Sequence, residues 1–255
     1  MSTTSLAGLA GPGAGGWLRD VAGQVLGVVG GSGGVGASTF AAVLAAVTGR
    51  AMLVDLDVVG GGIDVLLGIE DVAGARWSGL RVGGGRLDPA LLSDGLPRWG
   101  SVPVLAADTP PSSPGAVAQV IDAAAALGPV VVDLGRGASS QRDAALHRCT
   151  LVVLFAVAEV RGLIAARAVA ASLPDPPTGL VLRRGSVSPG EAAALTDAPL
   201  IGVVPSLAAS RFRVIDARRP PRALARVAAG VLDGVATVST PPKPSLRSAF
   251  DGEPA

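Results

Sequence analysis

Seven short runs of apolar, often β-branched residues punctuate the chain: QVLGVVG (24–30), AMLVDLD (51–57), SVPVLAAD (101–108), PVVVDLG (129–135), TLVVLFAV (150–157), TGLVLRR (178–184) and PLIGVVP (199–205). Most are apolar at consecutive positions, the pattern of strands covered on both faces, not of a half-exposed antiparallel sheet. Between them lie TFAAVLAAVTG, PGAVAQVIDAAAALG, SQRDAALHRC, VRGLIAARAVAASL and SPGEAAALTD, each long enough for a crossover helix. The alternation predicts a doubly wound α/β domain with a mostly parallel sheet of about seven strands. A later stretch, Arg222 to Val235, sets Leu224, Val227, Val231 and Val235 on one side and reads as a helix packed on the body. Gly60–Gly62 and Gly83–Gly85 mark loops, and no repeat of solenoid period is present. The expected organisation is a flexible lead-in over 1–22, one domain over 23–237 and a disordered, proline-rich tail over 238–255.

Composition narrows the classes. Hydrophobic residues make up 49% of the 255 and charged residues 16%, which requires a substantial core, and the formal net charge of +1 does not by itself imply nucleic acid or membrane. All but one of the basic residues are arginine, the exception being Lys243. A single cysteine, Cys149, and a single histidine, His147, exclude a disulfide framework and a zinc constellation. Cys149 opens a buried run and is expected to be inert, while His147 follows Asp143 at the spacing of a helical surface pair. The opening residues lack a basic segment followed by an apolar one, CTLVVLFAVA is too short to span a bilayer, and Val21–Gly49 is too rich in Gly, Ser and Thr to be a good transmembrane helix. A cytoplasmic protein without a transmembrane segment is expected.

The chemistry concentrates after the first run, in GGSGGVGAST (Gly30–Thr39). Gly31, Gly36 and Ser38 fit the frame G-x-x-x-x-G-K-[ST], with Ala37 where the lysine belongs; Gly31, Gly33 and Gly36 also fit G-x-G-x-x-G, with Asp55 nineteen residues after Gly36. Either frame puts backbone N–H groups and a helix N-terminus where a phosphate can bind. A second strand-end acid, Asp133 in VVVDLGRG, separates the two. A dinucleotide fold has no requirement for it, whereas a nucleotide hydrolase uses such an aspartate on the magnesium shell. ATP is favoured, and an NAD-type oxidoreductase with Asp55 on a ribose stays as the alternative.

In this order, GGSGGVGAST, LVDLDVVGGGIDVLLG and VVVDLGRG resemble the deviant Walker A, switch I and switch II segments of the MinD/ParA ATPases. Within that family the likeness is to the CpaE/TadZ branch, found near secretion or Flp-pilus genes and described as septum-site determining; GGGRLDPALLSDGLPRWGSVPVLAAD and LVLRRG resemble it too. The likeness runs from about Val25 to Val235. It implies that Gly31, Ser32, Gly33, Gly34, Val35, Gly36, Ala37, Ser38 and Thr39 bind the nucleotide, and that Ser38, Asp55 and Asp133 hold magnesium, partly through water. Asp57, where the family positions the attacking water, and Asp133 would then be the catalytic acids.

Departures from the family pattern define the expected function. The signature lysine corresponds to Ser32 and the P-loop lysine to Ala37, while the asparagine that recognises adenine in MinD is replaced around Arg183. Neither lysine is exchanged for arginine, so the charge is lost, and weak ATP binding with slow or absent hydrolysis follows. Arg136, just after the fourth run, is the candidate to supply a cation. The resemblance implies a homodimeric localisation factor that positions a pilus or secretion ATPase, or the division machinery, with recruitment to the inner membrane face, a pole or the septum. The cluster Arg211–Arg226 is the candidate surface for non-specific DNA or another anionic partner, against the plainer reading of a solvated rim.

Overall fold

The computed structural model describes residues 23–83, 86–173, 177–205 and 214–238. The elements in chain order are β1 (Val25–Gly30), α1 (Ala37–Thr48), β2 (Met52–Asp55), α2 (Ile63–Leu67), α3 (Pro89–Asp94), β3 (Arg98–Trp99), β4 (Val102–Leu105), α4 (Pro114–Leu127), β5 (Val130–Asp133), α5 (Ser140–Leu146), β6 (Leu151–Val157), α6 (Val160–Ala171), β7 (Thr178–Arg183), α7 (Pro189–Thr196), β8 (Leu200–Val204) and α8 (Arg222–Val238). They form one sheet of eight strands in the order β3-β4-β2-β5-β1-β6-β7-β8. Every pairing is parallel except β3 with β4. The seven predicted strands are all present, and the eighth is the two-residue antiparallel edge at Arg98–Trp99.

Continuous apolar runs become interior strands because both faces are covered. Val29, Met52, Val54, Val130 and Val132 point to a layer containing Val117 and Ile121 of α4, Leu146 of α5 and Leu163 of α6. Leu26, Val28, Leu53 and Val131 point the other way, onto Phe40 and Leu44 of α1 and Leu224 and Val231 of α8. Since α1 lies between sheet and α8, it is apolar all round, and Phe40 through Ala45 are buried without a break. The predicted helix from Arg222 begins there and runs on to Val238, burying Leu224, Val231 and Val235; Val227 is only half-buried. Serine caps hold the starts of α4, α5 and α7, the last with a full capping box from Ser188 and Glu191.

Of two smaller expectations, that for His147 changes and the inertness of Cys149 holds. His147 ends α5, and its link to Asp143 is a main-chain hydrogen bond; among the described residues the two side chains form no ion pair. Cys149 sits half-buried just before β6, and burial pushes its thiol up to about 12, which keeps it protonated and unreactive. No helix among the described residues is long and apolar enough to cross a membrane. The lead-in at 1–22 lies outside the described residues, as do 239–255 of the proposed tail and Arg211 and Arg213 of the arginine cluster.

Candidate functional site

At the carboxyl ends of β1, β5 and β2 the chain leaves a cleft of about 460 Å³. Its floor is the loop from β1 to α1. Gly36 ends that loop at φ 103°, a left-handed conformation that disfavours any residue with a Cβ, and acts as N-cap of α1 without a side-chain hydrogen bond. The first N–H groups of α1 therefore lack a capping side chain and open toward the cleft, the condition for anion binding at a helix start. Ser32 through Thr39 all line the cleft. Gly31, expected with them, is not among its lining residues: its N–H donates to the Phe155 carbonyl at 2.9 Å, and a Cβ there would lie 2.6 Å from that of Ala166 on α6. It anchors the loop to β6 and α6.

The three predicted acids converge on this cleft but differ in setting. Asp55 and Asp133 are directly opposite each other in the β2–β5 register, so their carboxyls share a face. Asp55 is 1% exposed and Asp133 2%. Burial, with the charge of Asp133 adding to it, raises the Asp55 carboxyl to about 7. Burial likewise raises Asp133 to about 6, against a lowering hydrogen bond from the Ser38 side chain.

Hydrogen bonding separates the pair further. Both oxygens of Asp55 are occupied by main-chain donors: Oδ1 by Asp57 N–H at 2.8 Å, Oδ2 by Ile63 N–H at 3.2 Å and Ala107 N–H at 3.3 Å. Asp133 Oδ2 is buried and has no partner among the described residues. β2 ends at Asp55, two residues earlier than predicted, because the chain turns there onto the Asp55 carboxylate. Asp57 thus stands on the turn, half-exposed at the cleft wall, with Gly135 packed on it; a Cβ at Gly135 would come within 3.2 Å of the Asp57 side chain.

Residues beyond the predicted set brace the segments around the cleft, some without lining it. The Trp77 indole N–H donates to the Asp55 carbonyl at 2.8 Å and fixes the end of β2 from 22 positions away, a contact with no local signal in the sequence. Arg76 ties Asp64 of α2 to the carbonyls of Ile69, Glu70, Val72 and Gly74, holding the loop that follows. Two arginines reach the β1–α1 loop. Arg183 Nη1 donates to the Val35 carbonyl at 3.2 Å, and Arg136 lines the cleft beside Gly33.

No family model matches the chain. Uncharacterised proteins of Mycobacterium tuberculosis, from two strains, are 41% identical over 196 residues, 75% of this chain; the chain spans 55% of their length. The septum site-determining protein MinD of Pyrococcus horikoshii OT3, solved as a Mg-ADP complex, is similar in structure with a TM-score of 0.61 at 18% identity, covering 83% of this chain and 95% of MinD. A ParA family ATPase of Chlorobium tepidum TLS gives 0.59 at 19% identity, covering 72% and 84%. The fold is that of the MinD/ParA ATPases. Within this MinD/ParA fold the dinucleotide alternative is not favoured, because the carboxylate it needs on a ribose, that of Asp55, is buried and already holds three main-chain N–H groups.

Does this cleft fit a nucleotide with magnesium? The orphaned Asp133 oxygen, the Ser38 hydroxyl bonded to that carboxyl and the uncapped start of α1 are what such a ligand requires. Among the described residues no group of three or more His, Cys, Asp or Glu is placed to hold a metal ion. An ion here would draw further oxygens from phosphate and water, as magnesium does.

Proposed function

We infer that the protein is a MinD/ParA-type localisation factor that binds ATP weakly and hydrolyses it very slowly or not at all. One observation carries the reading: an uncapped helix start lines the same cleft as Ser38 and Asp133, whose Oδ2 is buried with no partner among the described residues. Main-chain N–H groups from Ser32 to Thr39 grip the phosphates, and Gly31 fixes their loop from behind. Ser38 and Asp133 would hold magnesium, with Asp55 adding charge from below. When bound, that ion neutralises phosphate charge. Asp57, the half-exposed acid, faces the position of an attacking water. No lysine stands in the loop to stabilise charge on the transferring group, a contribution of about a thousandfold or more in rate elsewhere.

By the same reading the protein acts as a homodimer, in the cytoplasm or recruited to the inner membrane face, a pole or the septum, on a pilus or secretion ATPase or the division machinery. That assignment rests on the sequence resemblance to the CpaE/TadZ branch. The exposed Arg218, Arg219, Arg222 and Arg226 are its candidate anionic contact, and retention of duplex DNA that weakens steeply with salt tests it. Calorimetry with ATP, ADP and NAD in the presence of magnesium, followed by phosphate release, tests the core of the proposal. ATP binding with turnover well under about 1 per second supports it; indifference to adenine nucleotides, or turnover at that rate, refutes it.

A further inference from the structure

The proposed site has a charge problem. Asp55, Asp57 and Asp133 all line the cleft, so a polyphosphate must approach three carboxyl groups, and the loop from Gly30 to Thr39 contains no basic residue. One basic side chain lines the cleft among the described residues, that of Arg136. It comes from the turn after β5, where Gly135 adopts φ 59° and sends the chain across Asp57 toward the loop. Its guanidinium arrives over Gly33: Nη2 lies 3.1 Å and Cζ 3.6 Å from where a Cβ on that glycine would stand. Because Gly33 has no side chain, guanidinium and loop backbone can approach each other closely.

The two arginines at the loop are not equivalent. Arg183 is committed to the Val35 carbonyl. Arg136 is exposed and makes no ion pair or hydrogen bond with any described residue, although Asp57 and Asp133 line the same cleft. A planar fork of N–H donors with no acceptor, resting over an anion-binding loop, suits two oxygens of a phosphate.

We propose that Arg136 is the phosphate-binding cation of this site, reaching from the β5–α5 turn over Gly33 to grip the outer phosphates of a nucleoside di- or triphosphate. This rests on the nucleotide-binding reading above and adds the source of its positive charge. It also gives the site a preference: affinity rises with phosphate number, because the guanidinium meets more negative charge on each longer ligand.

Calorimetric titration of the full chain with magnesium and ATP, ADP or AMP, in wild type, Arg136→Ala and Arg136→Lys, tests it. In Arg136→Ala, ATP affinity falls about tenfold to a hundredfold, the worth of one charge-assisted hydrogen bond or so, while AMP affinity changes by less than about threefold. Arg136→Lys recovers part of the loss, since it restores the charge without the fork. ATP binding unchanged in Arg136→Ala, or an equal loss for AMP and ATP, overturns the inference and leaves the nucleotide reading intact. A wild-type protein that binds none of the three overturns both.

Discussion

At Asp133 the structure buries a carboxyl group with an oxygen that no described donor reaches, beside a second buried acid. Both Asp55 and Asp133 keep their protons more tightly in the fold than an ordinary aspartate at 3.8, with values raised to about 7 and about 6. The folded state therefore takes up protons between roughly pH 4 and 7, and the stability that these groups contribute is lost as pH rises through 6 to 7. Nucleotide-free protein should be less stable at pH 7.5 than at pH 5 by on the order of 2 kcal/mol, read as a lower urea midpoint. Asp133→Asn removes the charge and puts an amide N–H₂ donor in the pair. Its expected outcome is a nucleotide-free protein more stable by about 1–2 kcal/mol at pH 7.5, with the magnesium dependence of ATP binding abolished. That Asp55, Asp57, Asp133 and most of the loop share one cleft was legible in the sequence because Asp55 and Asp133 end strands, Asp57 follows two residues on and the loop is a glycine frame. Trp77 was not, since a contact spanning 22 positions leaves no periodicity to read.

Among the elements, legibility tracked length. The starts of α4 and α6 fall where the predicted stretches begin, while α2 and α3, with five and six residues, are too short to show a helical period and went unread. The edge β3 has two residues and a proline just before it, so it gave no strand signal either. The elements that were read include α8, which braces α1 and through it the floor of the cleft: Leu224 and Val231 pack in one layer with Phe40 and Leu44. Leu224→Ala should cost about 2–5 kcal/mol in chemical denaturation, yet leave any ATP affinity of the folded protein within about twofold, because α8 packs on α1 and β8 and none of its residues lines the cleft. Gly36→Ala should do the reverse. A Cβ at φ 103° costs about 1–3 kcal/mol, and the distorted helix start should lower ATP affinity more than stability alone explains.

For the molecule as a whole, the predicted class and strand directions were recoverable because continuous apolar runs leave a parallel sheet as the only way to cover both faces. The sheet order was not, because nothing local says that β5 inserts between β2 and β1. That insertion has a temporal side. Asp55 is made early in synthesis, yet its partner Asp133 and the Arg136 turn emerge nearly eighty positions later, on the strand that must slot into the middle of the sheet. A nascent chain halted before β5 thus holds the glycine loop without Asp133 or Arg136, the two side chains that β5 and its turn bring to the cleft. On the proposed reading, a nucleotide would steady only a molecule whose central strand has already been threaded home.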